Sequence, residues 1–121
     1  MIKVTFDVLN LELTVNGHAG ARKMGDVDPV CLAASTIAQG LLYQALLHSE
    51  KGKIQYDTDC KVYCEEVEHS EHKGYLHLKI KPTIQGEAQM RCRFIACLES
   101  LDMLAVQFPD SFENKRILKH S

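Results

Sequence analysis

No apolar run in these 121 residues reaches the roughly 18 that would suggest a membrane span, the longest being interrupted by Gln39 and Gln44. The opening MIKVTFDV lacks the basic, apolar and small-residue succession of a signal peptide, so export is not expected. Charge of one sign is missing too. Fourteen Lys and Arg stand against sixteen Asp and Glu, scattered along the chain, which gives none of the broad basic field that duplex nucleic acid demands. Low-complexity tracts are absent, and 45% hydrophobic with 25% charged residues is the balance of an ordinary soluble domain. Five cysteines cannot all pair within one chain, and in the reducing, cytoplasmic setting expected without a leader they are thiols. The length allows one hydrophobic core, hence a single domain over residues 1–121.

What is present is a regular succession of elements. Ile2, Val4, Phe6 and Val8 alternate with polar residues, and Leu11, Leu13 and Val15 resume the pattern after a break at Leu9 and Asn10, as two strands of a hairpin do. Residues 16–28 lose periodicity and hold Gly17, Gly20 and Gly25, a loop of the length usually given to function. Asp28 and Pro29 then start a helix: aspartate accepts the orphan amides, and proline loses nothing at the first helical position. The spacing of Val30, Ala34, Ile37, Leu41 and Ala45, widened by Leu42 and Leu46, carries it to about Ser49, with Gly52 as the stop signal.

One or two strands are expected within Lys53–Asp57 and Cys60–Glu68, and another over Tyr75–Lys81, with Leu76, Leu78 and Ile80 facing the core. A second helix is expected from about Gly86 to Gln107, its face set by Met90, Phe94, Cys97, Leu101, Leu104 and Phe108, with Pro109 stopping it. The tail from Asp110 has room for a short edge strand. The order β-β-α-β-β-α, with hairpins inside each pair, points to an α+β two-layer sandwich: an antiparallel sheet with two helices packed on one face.

The chemistry concentrates around the long loop. With Asp28 as N-cap, Cys31 falls in the first helical turn, where backbone amides and the helix dipole favour a thiolate and are expected to stabilise an oxyanion. His18 follows the second strand, and the loop returns the chain to that helix start, so an imidazole base and a thiol nucleophile can meet. Spacing alone favours the plainer reading, because a first-turn cysteine is more often a small packed hydrophobe. Ser35 lies four residues after Cys31 on the same helical face. Gly17 and Gly20 suit backbone geometry around His18, and Arg22 and Lys23 read as solvated loop charges.

The pieces Gly17-His18-Ala19-Gly20 and Asp28-Pro29-Val30-Cys31, followed by Ala33, Ala34 and Ser35, resemble the paired signature of the ribosomal-processing cysteine protease (Prp) family. Weaker similarity continues through Gly74-Tyr75-Leu76 and Phe108-Pro109, so the resemblance covers nearly the whole chain. It implies a two-layer α+β fold, often a homodimer, and a cysteine peptidase that removes an N-terminal extension from a large-subunit ribosomal protein without any cofactor. Carried over residue by residue, it makes His18 the catalytic histidine and Cys31 the nucleophile. Asp28 and Ser35 match polar positions beside that nucleophile. Pro29 stands where a branched aliphatic is common, Leu32 replaces a small residue, and the loop is slightly longer than usual. These departures bear on the substrate, and they leave open a divergent peptidase with another protein target, such as one from a mobile element. A non-catalytic ribosome- or RNA-associated module stays open as well.

Two other constellations compete. Cys60, Cys64, His69 and His72 offer four metal-ligating side chains, but the gap between the pairs is far shorter than in zinc fingers, and a strand would hold the cysteines about 13 Å apart. A strand with a charged turn is the better reading, and no metal is expected. Tyr75, His77, Lys79 and Lys81 share one strand face and could form a base-stacking platform, but a solvated or subunit-covered face is the better reading. Nucleic acid is therefore not expected as a partner, nor is a membrane. The partner expected is a protein substrate.

Overall fold

The structure, a computed structural model, describes residues 1–17, 28–50 and 61–118. In chain order these form β1 (Lys3–Asp7), β2 (Glu12–Asn16), α1 (Pro29–Leu47), β3 (Cys64–His72), β4 (Tyr75–Pro82) and α2 (Glu87–Gln107), followed by a single 3-10 turn at Pro109–Ser111. The strands make one antiparallel sheet in the order β1-β2-β4-β3.

Alternation along the strands decides which face is buried. Val4 pairs with Val15, Val15 with Leu76, and Leu13 with Leu78, so these side chains line up across three strands on the core side together with Ile80. The two intermediate rows, Thr5–Thr14–His77 and Asp7–Glu12–Lys79, fall on the opposite face. The β1–β2 turn is closed by Asp7, whose Oδ1 accepts from the Leu9 and Asn10 amides at 3.0 and 3.3 Å and whose Oδ2 accepts from the Asn10 side chain at 2.7 Å. At the other hairpin, Gly74 takes a left-handed conformation, with φ of +78°, between His72 and Tyr75.

Helix α1 begins where the Asp-Pro pair predicts. Asp28 Oδ1 accepts from the Val30 amide at 2.8 Å and from the Cys31 amide at 3.4 Å, with Pro29 at the first position. Its end comes slightly earlier than expected, at Leu47. The His48 carbonyl accepts from the Tyr63 and Cys64 amides at 2.8 and 3.0 Å, so the chain re-enters the sheet directly at the helix end. Gly52, the expected stop signal, and the Lys53–Asp57 strand lie outside the described residues. Over an 18-residue window α1 has a mean hydropathy of 1.5, long and apolar enough to cross a membrane despite Gln39 and Gln44. In this fold it lies against the sheet and α2 and buries Ala34, Ala38, Leu41, Leu42 and Ala45.

Helix α2 buries Met90, Phe94, Cys97, Leu98, Leu101, Leu104 and Ala105. Phe108 does not join that stripe: it caps the helix with non-helical dihedrals and is 44% exposed. Strand β3 runs to His72, past the expected Glu68. It is an edge strand, and Glu65, Glu66, Glu68 and Glu71 keep that edge charged, a common guard against strand-to-strand association. The tail forms a single parallel bridge between Phe112 and Ile2 instead of the short strand envisaged.

Candidate active site

One cavity of about 450 Å³ opens between the start of α1 and the β3–β4 hairpin. From α1 it takes Cys31, Ser35 and Gln39, each four residues after the last and so on one helical face. Ile2, Val15, Ala34 and Leu76 supply an apolar floor, and Glu71, His72, Lys73 and Tyr75 supply the rim opposite. The His72 and Tyr75 rings stack there with centroids 5.8 Å apart.

Gly17 lines a further side, and only glycine fits there. Its φ is +104°, and a Cβ placed on it would collide with the Met1 carbonyl oxygen. Its N–H donates to the Gly74 carbonyl at 2.7 Å, which ties the end of β2 to the β3–β4 turn. Gly17 thus ends the first described stretch beside the cavity, and the next begins at Asp28, three residues before Cys31. His18, the next residue after Gly17, and Gly20, Arg22, Lys23 and Gly25 lie outside the described residues.

Cys31 is half-buried, in the first turn of α1. The amides around it are more committed than the sequence suggests. Val30 and Cys31 donate to Asp28 Oδ1, Leu32 donates to the Asp28 carbonyl at 3.0 Å, and Pro29 has no N–H. The strong donors of the first turn are therefore taken by the cap. The Cys31 amide is held at the longer distance of 3.4 Å. Asp28 is accordingly a capping residue, and its nearly complete burial fits that role.

The other described cysteines lie away from the cavity. Burial pushes the Cys64 thiol up to about 11 against a smaller opposing pull from Arg93, and burial pushes Cys97 up to about 12. Both stay neutral thiols in the core; Cys97 Sγ lies 3.8 Å from the Ile37 carbonyl. Cys92 is exposed on the outer side of α2. Of the zinc-like pattern, Cys60 lies outside the described residues. Cys64 is buried at the start of β3, whereas His69 and His72 are exposed toward its end, up to about 26 Å further along an extended strand. On the outer sheet face His77 Nε2 meets Glu12 Oε2 at 2.7 Å, Lys81 meets Glu65 at 3.5 Å, and Lys79 stands between Glu12 and Glu68 in register. Carboxylates thus accompany the basic residues of the supposed stacking platform.

Ser35 and Gly17 both line the cavity with Cys31. Gln39 was not singled out, although extending the four-residue ladder from Cys31 through Ser35 reaches it. Glu71, His72 and Lys73 had no such signal, because their place on the rim depends on how the hairpin is set against α1.

No family model and no curated protein matches the chain. Among solved structures, it is similar to the crystal structure of an essential ribosomal processing protease, Prp, from S. aureus, in complex with a covalently linked product peptide. The two share a TM-score of 0.56 at 15% sequence identity, over 93% of this chain and 94% of that one. The likeness establishes a common fold from end to end.

Proposed function

We propose that the chain is a cysteine endopeptidase in which Cys31 is the nucleophile and His18 the general base. The observation that carries this reading is that Gly17, immediately before His18, and Cys31 line the same cavity. In the catalytic cycle His18 takes the Cys31 thiol proton, and Sγ attacks the scissile carbonyl to give a tetrahedral intermediate. The C–N bond then breaks as His18 returns the proton to the leaving amine, and water, activated by the same imidazole, hydrolyses the thioester. The Cys31 amide is the helix-start donor assigned to the oxyanion, since its bond to Asp28 Oδ1, at 3.4 Å, is longer than the 2.8 Å bond from Val30.

The apolar floor with a polar rim suits an extended peptide carrying a bulky apolar side chain next to the cut. The substrate assigned is the N-terminal extension of a large-subunit ribosomal protein, in keeping with the similarity to a ribosomal processing protease and with the motifs around His18 and Cys31. A homodimer in the cytoplasm belongs to the same reading; Met103, Val106 and Phe108, exposed on α2 and at its end, supply apolar surface for a second copy. The experiment is a cleavage assay on a ribosomal precursor bearing its extension, followed by intact-mass analysis. Wild-type protein releases the extension, and Cys31→Ala, folded as judged by circular dichroism, does not. A folded Cys31→Ala protein with full activity would refute the assignment.

A further inference from the structure

The part of the cavity floor beside Gly17 is made by Ile2, which belongs to neither helix and is held from behind. The Ile2 N–H donates to the Ser111 carbonyl at 2.8 Å, and the Ile2 carbonyl accepts from the Glu113 N–H at 2.8 Å. Phe112, between them, is buried, as is Ile117 further on. The far end of this strap is tied to one side chain. Asp102 Oδ1 accepts from the Ile117 amide at 2.8 Å, the Leu118 amide at 3.1 Å and Arg116 Nε at 3.2 Å, while Oδ2 accepts from Arg116 Nη2 at 3.0 Å. Asp102 is itself 8% exposed, on a helix that otherwise buries apolar side chains, where a carboxylate is tolerated only with its oxygens satisfied.

We propose that Asp102 is a positioning residue for the Cys31 cleft: it clamps the strap 111–118, the strap holds Ile2, and Ile2 gives the bound peptide's apolar side chain a fixed floor. The peptide part of this statement rests on the peptidase reading, while the mechanical part does not. Two main-chain bonds tie Ile2 to the strap, just ahead of the β1–β2 pairing that begins at Lys3. The four contacts at Asp102 anchor the same strap and so limit how far Ile2 can shift from the cavity. Asp102 is not among the residues that line the cavity; its effect is on shape, carried along the chain from its anchor at residues 116–118 to the bonds that Ser111 and Glu113 make with Ile2.

The test compares the rates at which Cys31 is alkylated by N-benzyl iodoacetamide and by iodoacetamide, read by peptide mass spectrometry. Cys64 and Cys97, both buried, report any general opening in the same sample. Wild-type protein favours the benzyl reagent. Asp102→Asn and Arg116→Ala each lower that preference by roughly 3- to 10-fold while Cys64 and Cys97 stay protected, and Arg116→Lys restores part of it. An unchanged preference in the variants, a loss matched by labelling of Cys64 and Cys97, or a wild-type protein with no preference overturns the proposal. Should Asp102→Asn not fold, the half-exposed Arg116 variant decides alone. Because alkylation needs no turnover, a protein that shows this shift yet cleaves no peptide refutes the peptidase reading and leaves the strap's role standing.

Discussion

Gly17 donates its backbone N–H to the Gly74 carbonyl at 2.7 Å, and through that bond the end of β2 and the β3–β4 turn form one continuous side of the Cys31 cavity. The glycine is required twice over, by its left-handed φ and by the Met1 carbonyl lying where a side chain would go. Gly17→Ala is therefore expected to destabilise the fold by about 1–3 kcal/mol, seen as a lowered Tm, and to slow Cys31 chemistry together with it. An alanine variant melting with wild type would show that this contact is not needed.

The Asp28 cap separates two effects of one carboxylate. Asparagine caps nearly as well as aspartate, so Asp28→Asn is expected to keep the wild-type Tm and most of the activity, whereas Asp28→Ala loses about 1 kcal/mol in denaturant melts. A large loss of activity in Asp28→Asn at unchanged stability would assign the carboxylate an electrostatic part in catalysis.

Asp102 predicts an acid limit on stability. Burial acts to raise its pKa, but the hydrogen bonds from Arg116 and from the Leu118 and Ile117 amides outweigh it and hold the carboxyl below its usual value. A depressed folded-state pKa means that the unfolded chain binds the proton first on acidification. The stabilisation is thus complete above the unfolded-state value, about 3.9, and is lost as pH falls through the lower folded-state value. Melts of wild type and Asp102→Asn between pH 7 and pH 2 are expected to differ most at neutral pH and to converge at the acid end. A constant difference throughout would contradict this.

The buried thiols predict an alkaline counterpart. Cys64 and Cys97 have raised pKa values, so their neutral forms support the fold fully below the usual thiol value of about 8.5, and that support declines as pH rises toward about 11 and 12. In the folded protein at pH 8 neither is expected to react with iodoacetamide on the timescale that labels Cys31 and exposed Cys92, and both react once guanidinium unfolds the chain. Rapid native-state labelling of Cys64 or Cys97 would count against the packing described.

Much of this was legible in the sequence because the signals were local. The Asp28-Pro29 start, the alternation in Leu76, Leu78 and Ile80, and the helical period from Met90 to Leu104 each report a preference that packing reinforces. Strand β3 was harder to bound, since CEEVEHSEH is an edge with little apolar alternation beyond Cys64 and Val67. Phe108 was assigned to the α2 stripe by spacing, but the helix ends just before it and the ring turns outward. Asp102 gave a weak signal, an acid between Leu101 and Leu104 on the buried stripe. Its meaning depends on Arg116, fourteen residues later, folding back over it. The oxyanion expectation is narrowed for a related reason: the cap that starts the helix also takes the Val30 amide at 2.8 Å, so the donor proposed for the oxyanion is the Cys31 amide, held to the cap at 3.4 Å.

The most direct test of the account is the alkylation rate of Cys31 in wild-type and His18→Ala protein at neutral pH, with exposed Cys92 as the internal standard. A base-activated nucleophile predicts that Cys31 reacts at least about tenfold faster than Cys92 and that this advantage disappears without the imidazole. Equal rates for the two thiols in wild-type protein, or an advantage that survives His18→Ala, would contradict it.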